Sequence, residues 1–252
     1  MDKKKIVVAG GSSGIGAELA VHLGEKGWDV AINYAGNAAG AEKTVATIRA
    51  LGQRAFMAKC DVGYKDQVDR FFDDVSADLG IPDLLVNNAG VQTWASFIDL
   101  QECDWDRTIR TNLKGSFLCT QKYAKLLIGE GKPGSVVMIG SGSNKVPFPE
   151  LVDYSVSKGG IENLTQIAAT ELGKYAIRVN CVAPGAIEIE RTRLESPEYA
   201  KTWSAVTPLG RVGTTTDISC AVEYFADDLS SYVTGQTLYV DGGVFTRPNW
   251  PY

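Results

Sequence analysis

The stretch AGGSSGIGAELA, residues Ala9 to Ala20, closes the apolar run IVVA (6–9) and leads into a segment with helical spacing. Gly10, Gly14 and Gly16 stand in the turn between them. Glycine permits a tight turn and lets the main chain come close to a pyrophosphate. The start of a helix adds free N–H groups and the positive end of a dipole. A plain glycine-rich turn would use the same residues. The position of this one, first in the chain with a strand before and a helix after, favours an anion cradle. The spacing departs from G-x-G-x-x-G and no lysine follows as in a P-loop, so a dinucleotide is favoured over ATP.

Outward from that turn, short β-branched runs recur: VAINY (30–34), AFMAKCDV (55–62), LLVNNAG (84–90), SVVMIG (135–140), RVNCVAPG (178–185) and TLYVDGG (237–243). Helical patterns lie between them. Val68, Phe71, Phe72, Val75 and Leu79 mark one apolar helix face. Continuous apolar strands alternating with helices predict a parallel sheet covered on both sides. The expectation is an α/β fold: one doubly wound Rossmann-type domain over residues 1–252, with a seven-stranded parallel sheet. Several strands end in small or polar residues (CDV, NNAG, IGSGS, VAPG), so the informative side chains crowd the carboxyl rim, where open parallel sheets bind ligands.

Composition narrows the function. The chain is 44% hydrophobic and 22% charged, with a net charge of −5. There is no basic excess to meet nucleic acid. No apolar run approaches the roughly 18 residues of a membrane span, and the run after MDKKK is too short for a signal-peptide core. A cytoplasmic protein is expected, with no membrane partner. Cys60, Cys103, Cys119, Cys181 and Cys220 are scattered without a CxxC pair, so neither a disulfide framework nor a zinc site is expected. His22 is the only histidine and sits on an apparent helix face, which disfavours His-dependent hydrolysis and a His-rich metal site.

Near the middle stands DYSVSKGG (153–160). On a helix Tyr154 and Lys158 share one face, a turn apart. Taken alone, this is as readily a surface pair as a reactive one. A free phenol, with a pKa near 10, is a poor base at neutral pH, and an ammonium beside a phenol favours the phenolate. Hydride transfer at an alcohol carbon needs such a proton carrier.

GGSSGIG at the first turn, NNAG at 87–90, Tyr154-x-x-x-Lys158 and Pro184-Gly185 together resemble the classical short-chain dehydrogenases/reductases, in order and over essentially the whole chain. The resemblance implies four catalytic residues: Tyr154 as proton carrier, Lys158 bracing it and holding the nicotinamide ribose, Ser141 positioning the substrate oxygen, and Asn112 holding a relay water behind Lys158. It implies cofactor contacts from Gly10, Ser12, Ser13, Gly14, Ile15, Gly16, Asn33, Tyr34, Asp61, Val62, Asn88, Ala89, Gly90, Tyr154, Lys158, Pro184, Gly185 and Ile187. It also implies a homotetramer, with the helices carrying Asn112 and Tyr154 at an interface, where Gly159 and Gly160 allow close packing. Two positions depart from the family pattern. Ala9 stands where a threonine usually anchors the loop, and Glu188 where a threonine usually meets the carboxamide.

The second strand ends in NYAGN with no acid to hold a ribose 2′-hydroxyl and no Arg or Lys for a 2′-phosphate. This tract resembles NADP-dependent family members, so NADP(H) is favoured and NAD(H) stays open. KVPFPELVDYSVSKGG, PGAI and the tail resemble bacterial glucose 1-dehydrogenases more than most of the family. That likeness implies substrate contacts from Gln92, Ser143, Ser141 and Tyr154, with Trp94 stacking on a pyranose and Glu188 or Glu190 accepting its hydroxyls. Trp94 could equally be a loop aromatic capping the core. RPNWPY could cover this site or reach a neighbouring subunit. A reductase of 3-oxoacyl thioesters or small ketones is the competing enzyme, with Lys145 the one basic candidate near the entrance. A cofactor-sensing protein on the same fold is disfavoured by the intact Tyr-Lys pair.

Overall fold

The computed structural model describes residues 3–246. The chain alternates β1 (Lys5–Ala9), α1 (Gly14–Glu25), β2 (Asp29–Tyr34), α2 (Ala38–Ala50), β3 (Ala55–Lys59), α3 (Lys65–Asp78) and β4 (Leu84–Asn87). A long helix follows in three parts: α4 (Glu102–Thr108), a π-helical turn (Ile109–Lys114) and α5 (Gly115–Gly129). Then come β5 (Gly134–Ile139), α6 (Val152–Leu172), β6 (Ile177–Pro184), α7 (Glu190–Glu195), α8 (Tyr199–Val206), α9 (Thr215–Ala226) and β7 (Thr237–Val240).

All strands run parallel, in the order β3-β2-β1-β4-β5-β6-β7. The chain builds outward from β1 to β3, then crosses back to place β4 on the other side of β1. That switch point opens a crevice at the carboxyl ends of the strands. Successive strand residues face opposite sides. Val7, Leu85, Val136 and Met138 therefore pack with Phe71, Phe72, Tyr123 and Ile161 of α3, α5 and α6. Ile6, Val8, Ile32 and Val137 pack with Leu19, Val45, Val222 and Phe225 of α1, α2 and α9.

The predicted strands at 55–62, 84–90 and 237–243 end earlier, at Lys59, Asn87 and Val240. Their last residues leave the ladder and turn over the rim. His22 accounts for itself structurally: its Nε2 lies 3.0 Å from Glu223 Oε2 and ties α1 to α9. The cysteines are free thiols; burial pushes those of Cys60 and Cys181 up to about 12, whereas Cys103 and Cys220 are exposed.

Candidate active site

The first turn is held by asparagine amides. Gly10 has a left-handed φ of +76°, and a Cβ there would lie 2.8 Å from Ala89 Cα. The register of β1 on β4 pairs Ala9 with Asn87, so Gly10 and Asn88 leave the sheet side by side. Asn88 Nδ2 donates to the carbonyls of Ala9 (3.3 Å) and Gly10 (3.0 Å). Gly10 N donates to Asn33 Oδ1 (3.1 Å), and Asn33 Nδ2 donates to Cys60 O (2.8 Å). Asn37 Nδ2 donates to Ser12 O (3.1 Å), while its Oδ1 caps α2 at Gly40 N. Asn88 thus anchors the turn despite Ala9 having no hydroxyl. Asn33 and Asn88 line the cleft, but their amide nitrogens are engaged by the protein. Gly16 does not line it: a Cβ there would run into Gly10 O and Asn88 Nδ2, so its role is close packing.

Ser13, the residue before α1, makes no side-chain cap, so the first amides of that helix keep their hydrogen-bonding capacity where Ser12, Ser13, Gly14 and Ile15 line the cleft.

Asn112 sits fully buried in the π-helical turn, a widened geometry common at functional sites. Its Nδ2 donates to Val91 O (2.9 Å) and Ser157 Oγ (2.9 Å), and its Oδ1 accepts from Val91 N (2.8 Å). Ser157 Oγ in turn donates to Tyr154 O (2.7 Å). Asn112 therefore clamps the segment after NNAG to α6 and does not line the cleft. Its main-chain carbonyl accepts from Ser116 Oγ (2.6 Å).

Asp153, adjoining the tyrosine, is fully buried. It accepts from Tyr154 N through Oδ1 and from Thr108 Oγ1 through Oδ2, both at 2.6 Å. A carboxylate in the first turn of α6 meets the helix amides and dipole, and the bond to Thr108 fixes α6 against α4. Lys158 is buried, donates to Ile139 O (2.6 Å), and holds Nζ 5.5 Å from the centroid of the Tyr154 ring. Ser141 opens the turn after β5, its Oγ accepting from Ser143 N (3.2 Å). The Asn144 amide, oriented by its acceptors, donates to Ser141 O (2.8 Å) and Lys158 O (3.1 Å), joining that turn to α6. Asp153, Asn144 and Ser157 each act through a partner distant in sequence, which spacing does not reveal. Of the two glycines after Lys158, only Gly160 packs tightly, its added Cβ lying 2.8 Å from Leu113 Cδ2; Gly159 faces open space.

Tyr154, Lys158 and Ser141 share a cleft of about 1310 Å³ with the other expected cofactor residues except Gly16, and with Gln92, Trp94 and Ser143. That exceeds the roughly 300–1,000 Å³ of an ordinary ligand site and has room for a dinucleotide beside a substrate. Trp94 is 56% exposed, which removes it from any core-capping role. Glu188 does not line the cleft, whereas Glu190 and Thr192 do. The Thr192 hydroxyl is engaged at the start of α7, accepting from Ile189 N (2.9 Å) and donating to Ile189 O (2.9 Å). The substrate end also holds Phe148, Tyr199, Trp203 and Phe245, none of them expected. Burial pushes the Tyr199 phenol up to about 12. The i,i+4 spacing of Tyr199 and Trp203 was the one sequence signal available for this wall. The RPNWPY tail begins at Arg247 and lies outside the described residues.

A family model described as Enoyl-(Acyl carrier protein) reductase matches residues 9–245. The 3-oxoacyl-[acyl-carrier-protein] reductase of Staphylococcus aureus is 38% identical, covering 96% of this chain and 98% of that protein. The L-rhamnose 1-dehydrogenase (NAD(P)(+)) of Sphingomonas sp. is 37% identical over 98% of both. The crystal structure of a short-chain type dehydrogenase/reductase from Mycobacterium marinum superposes with a TM-score of 0.91 at 32% identity, covering 97% of this chain and 96% of that one. The chain belongs to the short-chain dehydrogenase/reductase family. As a short-chain dehydrogenase/reductase it is an oxidoreductase acting on CH–OH groups with a nicotinamide cofactor. The residues present fit that cofactor. The uncapped start of α1 suits the pyrophosphate, a Cβ on Gly14 would meet nothing nearer than Ile189 Cδ1 at 3.5 Å, and the cleft continues past Asp61 and Asn88 to Lys158 and Gly185. Among the described residues no helix is long and apolar enough to cross a membrane.

Proposed function

We propose that this dehydrogenase oxidises the C1 hydroxyl of an aldose to the lactone, as bacterial glucose 1-dehydrogenases do, with Tyr154, Lys158, Ser141 and Asn112 as its working set. The observation that carries the oxidoreductase part of the reading is that Tyr154, Lys158 and Ser141 line one cleft, with Lys158 Nζ 5.5 Å from the centroid of the Tyr154 ring. Bound along the cleft, the cofactor supplies the hydride acceptor or donor. Ser141 Oγ positions the substrate oxygen, and Tyr154 takes or returns its proton. Lys158 supplies a buried ammonium beside the phenol and reaches the ribose side. Asn112 holds the segment after NNAG and α6 in register. Ser12 to Ile15 hold the pyrophosphate, Asp61 and Val62 flank the adenine, and Pro184, Gly185 and Ile187 flank the nicotinamide.

The sugar reading is supported by Gln92, Ser143 and Glu190 in the cleft, by Trp94 at its mouth, and by the rhamnose dehydrogenase relative. NADP(H) is favoured over NAD(H) because Tyr34 to Asn37 offer no carboxylate to a ribose 2′-hydroxyl. The second reading, reduction of 3-oxoacyl thioesters, is supported by the Staphylococcus relative. Against it, the basic residue lining this part of the cleft is matched by acids: Arg191 pairs with Glu195, and Glu190 lines the cleft beside it. A homotetramer is supported by the exposed apolar side chains of Phe117, Val156 and Ile167 on α5 and α6.

The test is absorbance at 340 nm with NAD+ and NADP+ in parallel against a panel of aldoses and secondary alcohols. A rise with an aldose that vanishes in Tyr154→Phe is expected, and is larger with NADP+. Silence across the aldoses, with NADPH consumed by oxoacyl thioesters instead, would replace the sugar reading by the second one.

A further inference from the structure

The four unexpected aromatic rings form a corner. Phe148 lies in the loop before α6, Tyr199 and Trp203 on α8, and Phe245 in the turn after β7. The Phe148 and Trp203 centroids are 5.6 Å apart with ring planes at 43°. Phe148 and Phe245 meet edge to face at 6.4 Å and 80°, and Tyr199 and Trp203 lie 6.2 Å apart at 48°. No pair is parallel, so the rings splay along the cleft wall and do not stack into a plug. All four are half-buried and all four line the cleft.

The corner abuts the chemistry. A Cβ on Gly142 would run into the Phe245 ring, so that ring lies directly on the turn between Ser141 and Ser143. Ser143 is 5% exposed, lines the cleft, and its hydroxyl has no partner among the described residues. A buried hydroxyl without a partner carries a desolvation cost that a ligand oxygen can relieve. A concave corner of aromatic rings and an unused hydroxyl therefore stand beside the serine proposed to hold the reacting oxygen.

Resting on the function proposed above, we propose that the reacting CH–OH belongs to a saturated six-membered ring, bound with its C–H face on this aromatic corner and an edge oxygen on Ser143. An aromatic face is electron-rich, and C–H bonds beside oxygen are electron-poor, so the two attract beyond simple burial. Because the corner touches the Ser141 turn, the stacked ring is the one that carries the reacting carbon. An open-chain alcohol reaches Ser141 and Tyr154 without using the corner. A hydroxylated pyranose and a plain carbocycle both present such a face; Ser143 and Gln92 discriminate between them.

The experiment compares kcat/KM for glucose, cyclohexanol and 2-butanol in the full-length wild type, Trp203→Leu and Trp203→Phe. Leucine keeps apolar bulk without a π face, and phenylalanine keeps the face. Trp203→Leu is expected to lower the ring-to-open-chain ratio about tenfold, while Trp203→Phe stays within about twofold of wild type. The KM for NADP+ stays unchanged, and the rate on 2-butanol falls less than the rate on the ring alcohols. Equal losses on ring and open-chain alcohols, or no loss at all, would overturn the proposal. Preference for glucose over cyclohexanol identifies a polar ring, and the reverse an apolar one. Calorimetric titration of the three alcohols into Tyr154→Phe with NADP+, in the presence and absence of Trp203→Leu, reads the corner without turnover. Trp203-dependent ring binding in a protein that oxidises none of the three would overturn the function proposed above and leave the corner standing. Turnover without any ring preference would do the opposite.

Discussion

The two ends of the cleft are built differently. The cofactor end is made of main chain: glycines at conformations few other residues adopt, helix amides, a Gly10 N–H held by Asn33, and carbonyls pinned by Asn37 and Asn88. The substrate end is made of side chains delivered by three separate segments, with Phe148, Trp203 and Phe245 meeting only in the folded protein. The first is rigid because its contacts are backbone contacts; the second can be re-cut by changing a ring. Substitutions that probe each end should fail in different ways.

The largest effect is expected where the two ends meet. Tyr154→Phe removes the proposed proton carrier and should lower kcat by roughly 10²–10⁴ with the affinity for NADPH unchanged, measured by single-turnover kinetics and nucleotide fluorescence. If the affinity fell with the rate, Tyr154 would serve the cofactor end as well as the chemistry. Gly16→Ala places its methyl against Gly10 O, a main-chain atom that cannot step aside. It should cost about 1–3 kcal/mol of stability, seen as a lower Tm, and weaken NADPH binding at the same time. Gly142→Ala makes a comparably close contact, but with the tip of the Phe245 side chain, which can swing away. The fold and the NADPH affinity should survive, while kcat/KM on a ring substrate falls about tenfold, equivalent to about 1.4 kcal/mol. If Gly142→Ala lowered Tm as much as Gly16→Ala, the contrast between the two ends would be lost.

The smallest effect lies outside the cleft. At the start of α9, the Arg211 guanidinium and the Thr214 cap hold the Asp217 carboxyl well below the usual carboxylate range. A depressed carboxyl contributes stability above its unfolded pKa, near 3.9, and loses it as the pH falls toward the folded value. Asp217→Asn should therefore cost about 1 kcal/mol at pH 7, or roughly 2–4 °C in Tm, with the gap to wild type closing below about pH 4.

This contrast also explains what could be read in advance. Backbone requirements are local: Gly10 must turn whatever lies far away, and a strand-turn-helix pattern announces its cradle. Tyr154 and Lys158 sit one turn apart on one helix, so their proximity follows from spacing alone. Phe245 and Gly142 are 103 positions apart, and nothing near either one signals the other. The family resemblance implies a role for Asn112, but its use as a clamp on Val91 depends on a packing that spacing does not reveal. The pair Gly159-Gly160 shows the same limit, since one faces Leu113 and its neighbour faces open space.

The π-helical turn at Ile109–Lys114 has a consequence for how this chain can vary in length. Such a turn accommodates more residues than an α-helical one, so the two halves of the long helix are phased by a surplus. Deleting one residue there would remove the surplus and let the helix close into regular geometry with α4 and α5 nearly in phase, at the cost of the widened turn that carries Asn112. Deleting one residue from the regular turns of α5 would instead shift everything beyond it by about 100°. A one-residue deletion outside the π-helical turn should therefore do more damage than one inside it, while insertions at the exposed turns elsewhere pass with little effect.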